Sequence, residues 1–245
     1  MSRQPPEQQA PPVQRLRVRY AKRGRLRFTS HRDFSRAFER AVFRARVPMA
    51  YSSGFNPHPR ISYAGAAPTG SASEAEFLEI ALAEVVDPAD VHAQLEEALP
   101  DGLDVVAVVD AATLGGGSLA DGLQASRWRI DTTAPPDEAR AAVGTFLAEE
   151  SVLVERMTKK GLREFDCRAA VVSLEMLDGP TGAASLDLVL RHTVPAVRPD
   201  DVLTGVRRLT DLDTGRAPLL TRTEQGPLDE ERGTVGDPFA TATDG

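Results

Sequence analysis

No stretch of this chain comes near the ~18–20 continuous apolar residues that a bilayer-spanning helix needs, so no membrane is expected among its partners. A single cysteine, Cys167, stands among 245 residues. That excludes an internal disulfide framework and fits a reducing compartment, so a cytoplasmic location is expected. It also excludes an iron–sulfur cluster held by this chain alone, because such clusters take several thiolates. With only four histidines (His31, His58, His92 and His192), a closed His/Cys zinc site is not expected either. Aromatic residues make up 5% of the chain, so its cores must be built mostly from Val, Leu and Ala. The first thirteen residues hold one Arg, one Glu and four prolines with no apolar run. They read as a disordered leader rather than a signal peptide.

What is present is globular in composition, 41% hydrophobic and 27% charged, in a length that makes one large or two ordinary domains. Net charge is −7, which would argue against nucleic acid if it were evenly spread. It is not. Arg15 to Arg60 carries 13 Arg/Lys against Asp33 and Glu39, leaving that segment at +11 and the remainder at −18. A dipolar distribution of this size marks an anion-facing surface on an acidic body. The plainer reading is a solvated face in an arginine-rich protein, since arginine greatly outnumbers lysine.

Periodicity divides residues 15–110 into six segments. Leu16, Val18 and Tyr20 alternate with arginines as a strand, expected to extend through Leu26 and Phe28 after a turn at Gly24. Thr29 or Ser30 then caps a helix whose apolar face is Phe34, Phe38, Ala41, Val42 and Ala45, with Asp33 near its positive end and Pro48 as its stop. A Gly/Pro-rich loop, short strand Ile61–Ala66, strand Phe77–Val86, helix Ala89–Leu99 opened by Pro88, and strand Leu103–Val109 complete a βαββαβ order. After a glycine-rich linker the order repeats, from a strand at Trp128 and Ile130 to a possible last strand at Leu219–Thr223. Val86-Asp87-Pro88-Ala89-Asp90-Val91 matches Val197-Arg198-Pro199-Asp200-Asp201-Val202, each placing Pro in the first turn of the second helix of its half. The expected fold is therefore α+β, two tandem ferredoxin-like lobes with disordered termini. Its parts are a leader (1–13), a basic N-terminal lobe (14–112), a linker (113–124), a C-terminal lobe (125–223) and a disordered tail (224–245).

Five groups of residues could carry function. Arg32, Arg36, Arg40 and Arg44 follow one another at four-residue spacing on the first helix. Like charges so placed cost a few tenths of a kcal/mol per pair, a cost that suits a surface meeting phosphates, which guanidinium forks match in pairs. Arg15, Arg17 and Arg19 would extend the basic patch onto the strand. The run Gly54-Phe55-Asn56-Pro57-His58-Pro59-Arg60 holds the chain's only asparagine, and its two prolines hold His58 out in a stiff loop. Such a loop can read a base edge or stack a nucleotide. Alternatively, Phe55 plugs the core beneath a stiff turn. Ser30-His31-Arg32-Asp33 sits at a helix N-terminus that favours anions, and His31 or His58 could act as general acid or base. Ser30 and Asp33 are supporting residues there. Glu74 and Glu76 could pin arginines or bind a metal, the former being favoured. In the second half, Lys159, Lys160, Arg163 and Arg168 belong to a smaller basic hairpin around Asp166, either a phosphate clamp or an ordinary turn.

The runs Arg27-Phe28-Thr29-Ser30-His31-Arg32-Asp33 and Gly54-Phe55-Asn56-Pro57-His58-Pro59-Arg60-Ile61-Ser62 resemble the radical-SAM-associated (radical-SAM-linked) family, a bacterial domain of unknown function. The resemblance covers about Arg15 to Leu220, and Arg32 stands where that family commonly has leucine. It implies that this chain carries no cofactor and serves a radical SAM partner holding the iron–sulfur cluster and S-adenosylmethionine. Together with the basic lobe, it leads to the expectation of a non-catalytic accessory protein that binds structured RNA, tRNA or rRNA, for modification. Two rivals stand beside it. One is a protein–protein adapter for the same partner without RNA, and the other a metal-independent ribonuclease using His31 or His58. Counterion release would give RNA binding a steep salt dependence that an adapter lacks.

Overall fold

The computed structural model describes residues 8–158, 161–179 and 182–240. It is an α+β structure that divides into two compact units, Met1–Asp121 with Phe239–Gly245, and Gly122–Pro238.

In the first unit the leading strand, β1 (Gln14–Lys22), buries Leu16, Val18 and Tyr20. The extension expected beyond Gly24 is not a strand. Gly24–Phe28 forms a 3-10 turn, entered at Gly24 with φ 53° and closed by Leu26 N donating to Arg23 O at 3.0 Å. Helix α1 (His31–Arg44) follows, capped by Ser30, whose hydroxyl accepts from Asp33 N at 3.2 Å. Its buried face is Phe34, Phe38, Ala41 and Val42, the expected series apart from Ala45, which caps the helix end half-buried. Phe34 stacks on Tyr20 of β1 with ring centres 4.4 Å apart.

Helix α1 ends in a left-handed turn rather than at Pro48. Arg46 has φ 55°, Arg46 N donates to Phe43 O at 3.1 Å, and Val47 N to Val42 O at 3.1 Å. These are the paired bonds of a Schellman cap. The remaining elements are β2 (Ile61–Ala64), β3 (Ala72–Leu82), α2 (Pro88–Ala98) and β4 (Val105–Asp110). β1 pairs antiparallel with β3 and β4, and β2 pairs antiparallel with β3. The helices pack on one face of these strands, around Phe38, Leu78, Ile80, Leu82 and Leu95.

The stretch expected as a linker carries a short helix, α3 (Leu119–Gly122). The second unit then runs β5 (Ala125–Asp131), α4 (Pro136–Ala148), β6 (Leu153–Thr158), β7 (Gly161–Asp166), β8 (Val171–Asp178), β9 (Ala184–Arg191), α5 (Pro199–Thr210) and β10 (Leu219–Gly226). β5 lies between β9 and β10, and β8 pairs with β9, all antiparallel. β6 and β7 form a separate two-stranded ribbon. Helices α2 and α5, opened by Pro88 and Pro199, each join the two strands that flank the first strand of their unit. The tail expected to be disordered from 224 is instead structured through residue 240. β10 runs to Gly226, β11 (Leu228–Asp229) pairs with β12 (Thr234–Val235), and Phe239 meets Phe77 edge-on at 5.3 Å. Among the described residues, no helix is long and apolar enough to cross a membrane.

Candidate functional site

The arginines of the first unit fall into two populations. Three of those in β1 and the turn after it are held by carboxylates. Arg15 Nη1 lies 2.9 Å from Glu79 Oε1, and Arg17, only 8% exposed, lies 3.3 Å from Glu79 Oε2 and donates to Gly117 O at 2.7 Å. Arg23 is held by Glu74 and Asp104, so its guanidinium stays charged well beyond the ordinary arginine range, chiefly through Glu74. Arg19 Nε donates to Glu74 O at 2.9 Å. The patch expected to span strand and helix is therefore broken at the strand. Glu79, Glu74 and Asp104 hold Arg15, Arg17 and Arg23 within the fold.

The helix arginines are different. Arg32, Arg36, Arg40 and Arg44 are exposed, and among the described residues none of them has an acidic partner within 4.0 Å. Between Arg40 and Arg44 stands Phe43, 81% exposed. It lines a depression of about 500 Å³ with Arg36, Glu39, Arg40 and Arg44. A second groove, of about 650 Å³, is lined by Glu39, Val42, Phe43, Arg44, Arg46, Val47, Met49, Tyr51 and Pro59. Glu39, Phe43 and Arg44 border both. The result is a cationic rim over an apolar floor along the C-terminal half of α1. Phe43 and Arg46 escaped the sequence reading, though Phe43 had a signal. It falls outside the 34, 38, 41, 42, 45 series and so had to project among the arginines.

The Gly54–Arg60 loop is the tip of a small hairpin. Tyr51 bridges Pro59, Ser52 N donates to His58 O at 2.9 Å, His58 N donates to Ser52 Oγ at 3.0 Å, and Arg60 N donates to Ala50 O at 2.8 Å. Gly54 takes φ 133°, a conformation that favours glycine. Phe55 is 65% exposed, so it is not a core plug, and Asn56 and His58 are exposed beside it. The loop's root, Tyr51 and Pro59, belongs to the groove, which adds the loop to the helix surface.

His31 lies at the other end of α1. Its ring meets Tyr63 of β2 edge-on at 4.9 Å, and Tyr63 also packs on Phe34. Burial pushes the Tyr63 hydroxyl up, the neighbouring Ser35 hydroxyl opposing it and the charge of Glu39 adding to it. The Ser30 hydroxyl donates to Asp33 Oδ2 at 2.6 Å, so that pair serves the helix cap. His31 thus sits at the N-terminus of α1, while the His58 loop is rooted beside its C-terminus.

Glu74 clamps Arg23, and Glu76, buried at 2% exposure, accepts from Ala67 N at 3.3 Å. Among the described residues no group of three or more His, Cys, Asp or Glu side chains could hold a metal ion.

In the second unit the described members of the expected basic cluster, Arg163 and Arg168, differ in their surroundings. Lys159 and Lys160 lie outside the described residues. Arg168 is half-buried and donates to Val171 O at 3.3 Å and to Leu147 O, at the end of α4, at 3.4 Å. Arg163 is exposed, opposite Arg156 across the ribbon. Asp166 organises the ribbon's base. Burial acts to raise its pKa, but the amides of Val152, Ala169 and Arg168 and the Ser151 hydroxyl bring it below the ordinary carboxylate value.

Fold and site define an α+β protein with an arginine-rimmed, aromatic groove on its first helix. The chain belongs to DUF2344, a family of uncharacterized proteins conserved in bacteria, whose model matches residues 15–199. No curated protein matches it.

Proposed function

We propose that this chain is a non-catalytic accessory protein that holds structured RNA, tRNA or rRNA, for modification by a radical SAM partner, with α1 and the Gly54–Arg60 loop as its RNA-binding surface. One observation carries the RNA half of this reading. Glu79 pairs with Arg15 and Arg17 of β1, while the four α1 arginines stay exposed with, among the described residues, no acid within ion-pair distance, and Phe43 bare among them. Phosphates match unpaired guanidinium groups, and an exposed ring offers a nucleobase a stacking platform. The radical SAM half rests on the sequence resemblance, and on a single cysteine, Cys167, buried and unable to hold a cluster by itself. The cytoplasmic assignment rests on that same cysteine usage. Tandem ferredoxin-like lobes remain the fold reading, supported by the matching strand pairings and by the Pro88 and Pro199 helices joining equivalent strands.

The test is RNA binding by fluorescence anisotropy between 50 and 300 mM salt, with tRNA and rRNA fragments, for the wild type and for Arg36, Arg40 and Arg44 jointly changed to Glu. Each phosphate contact contributes about 0.7–0.9 to the log–log salt slope. The triple variant should bind at least ten-fold more weakly and flatten the slope by about 2–3, while melting cooperatively as the wild type does. An unchanged affinity and slope would remove RNA from the reading.

A further inference from the structure

The ribbon β6–β7 has two unlike faces. Val154 and Phe165, directly paired, are 2% and 4% exposed and anchor it to the second unit. The opposite face carries Leu153, Glu155 and Met157 of β6 beside Leu162 and Glu164 of β7. All five are exposed, Met157 by 72% and Leu162 by 58%, and these two are cross-strand partners. So are Glu155 and Glu164. Like charges directly opposite on antiparallel strands destabilise the pair, so this face is poorly suited to stand alone in water. Bare Leu and Met side chains around two facing carboxylates form a surface with a stated complement, apolar groups alternating with cations. The ribbon also has an open edge. β6 is tied to α5 through Arg208, which donates to Leu153 O at 2.7 Å, whereas among the described residues no strand lies on the outer side of β7. An open strand edge can take an extended segment by main-chain pairing, with alternate side chains giving specificity.

The geometry points to this ribbon as the docking arm for a protein partner, occupied by an extended segment in which every second residue, facing the ribbon's exposed side chains, is in turn apolar and Lys or Arg. Charge selects this occupant over the others. Phosphate chains and anionic lipid surfaces would both meet the Glu155–Glu164 pair with like charge. Of the residues that made the hairpin look basic, Arg156 is spent on Asp201 and Arg168 on backbone carbonyls, and Arg163 lies on the other face, opposite Arg156. The inference goes beyond the RNA reading and does not depend on it, since the α1 surface and this ribbon share no residue.

The test places a photo-crosslinking benzoylphenylalanine at Met157 or at Leu162 of the full chain in bacterial cells. Crosslinked species are then identified and mapped by mass spectrometry. The expected result is one predominant protein, joined through a segment in which every second residue is in turn basic and apolar. Its purified form should bind the wild-type chain, bind the doubly substituted chain E155K/E164K at least ten-fold more weakly, and recover when its own basic residues are reversed to Glu. Leu162→Ser, at an exposed position, should weaken binding without lowering the melting temperature. Four outcomes overturn the proposal: RNA as the crosslinked species, a second copy of this chain with dimers in sedimentation, no predominant partner, or an affinity indifferent to charge reversal. Failure of the α1 variants to affect RNA leaves this result untouched, so the two readings fail separately.

Discussion

The guanidinium of Arg156 grips the carboxylate of Asp201 at the first turn of α5 while lying 4.2 Å over the ring of Phe165. It also donates to Ala196 O at 2.9 Å. One side chain thus ties the ribbon to the helix start behind it. Asp201 is buried, its side chain 5% exposed, and its other hydrogen bond comes from Arg198 N at 2.8 Å. Arg156→Ala would leave that carboxylate buried without its cation. Breaking a buried pair from one side costs about 3 kcal/mol or more. The partial exposure of Arg156 places the expected loss near the lower end. Urea unfolding followed by circular dichroism should show it, with RNA affinity unchanged. A loss below about 1 kcal/mol would mean that the pair contributes no more than a surface salt bridge.

Cys167 is sealed in by Gly205. A Cβ at Gly205 of α5 would stand 2.6 Å from Cys167 Sγ and 3.0 Å from Val152 Cγ1. Alanine there gains helix propensity but overpacks, and overpacking costs about 1–3 kcal/mol. Gly205→Ala should therefore destabilise the protein, and Gly205→Ala with Cys167→Ala should recover part of the loss. Additive losses would mean that the contact is not the cause. The thiol donates to Val152 O at 3.2 Å, and burial pushes its pKa up to about 12. Between pH 7 and 9 the native protein should then react with thiol reagents far more slowly than a free cysteine. Gly205→Ala should speed the reaction if it loosens this packing.

Both pairs show where the sequence was legible and where it was not. The buried face of α1 could be written down from spacing alone, because Phe34, Phe38, Ala41 and Val42 are local in the chain. Helices α2 and α5 announced themselves through Pro88 and Pro199, again locally. Which arginines are free is a long-range property. Arg17 finds Glu79 and Arg23 finds Glu74 only through the β1–β3 register, and Arg156 reaches Asp201 across 45 residues. Counting charges along the chain made one broad patch of what the fold divides into a strand whose Arg15 and Arg17 meet Glu79 and a helix whose arginines have no ion pair among the described residues. The 3-10 turn at Gly24–Phe28 hid behind alternating Arg and apolar residues that suit a strand equally well. The left-handed end of α1 gave no glycine signal, because arginine occupies the position where glycine is usual.

That arginine supports a final prediction. Arg46 holds φ 55° as the left-handed residue of the Schellman cap, and it lines the groove beside Arg44. For a residue with a Cβ, this conformation costs roughly 1–2 kcal/mol, which glycine avoids. Glycine gives back part of that advantage through its greater freedom in the unfolded chain. Arg46→Gly should therefore leave the protein as stable or more stable, by up to about 1 kcal/mol, with the cap bonds from Arg46 N and Val47 N retained in the glycine form. If the groove meets phosphates, the same change should weaken RNA binding for all sequences alike and lower the salt slope by about 1. Stability by urea titration and affinity by anisotropy, measured on one preparation, decide the matter. Gained stability with unchanged RNA affinity would make Arg46 a feature of the helix end alone. Lost stability would mean that its side chain holds the cap together. Only a stability held or raised, combined with weaker binding, marks a residue kept in an unfavourable conformation for what its guanidinium does in the groove.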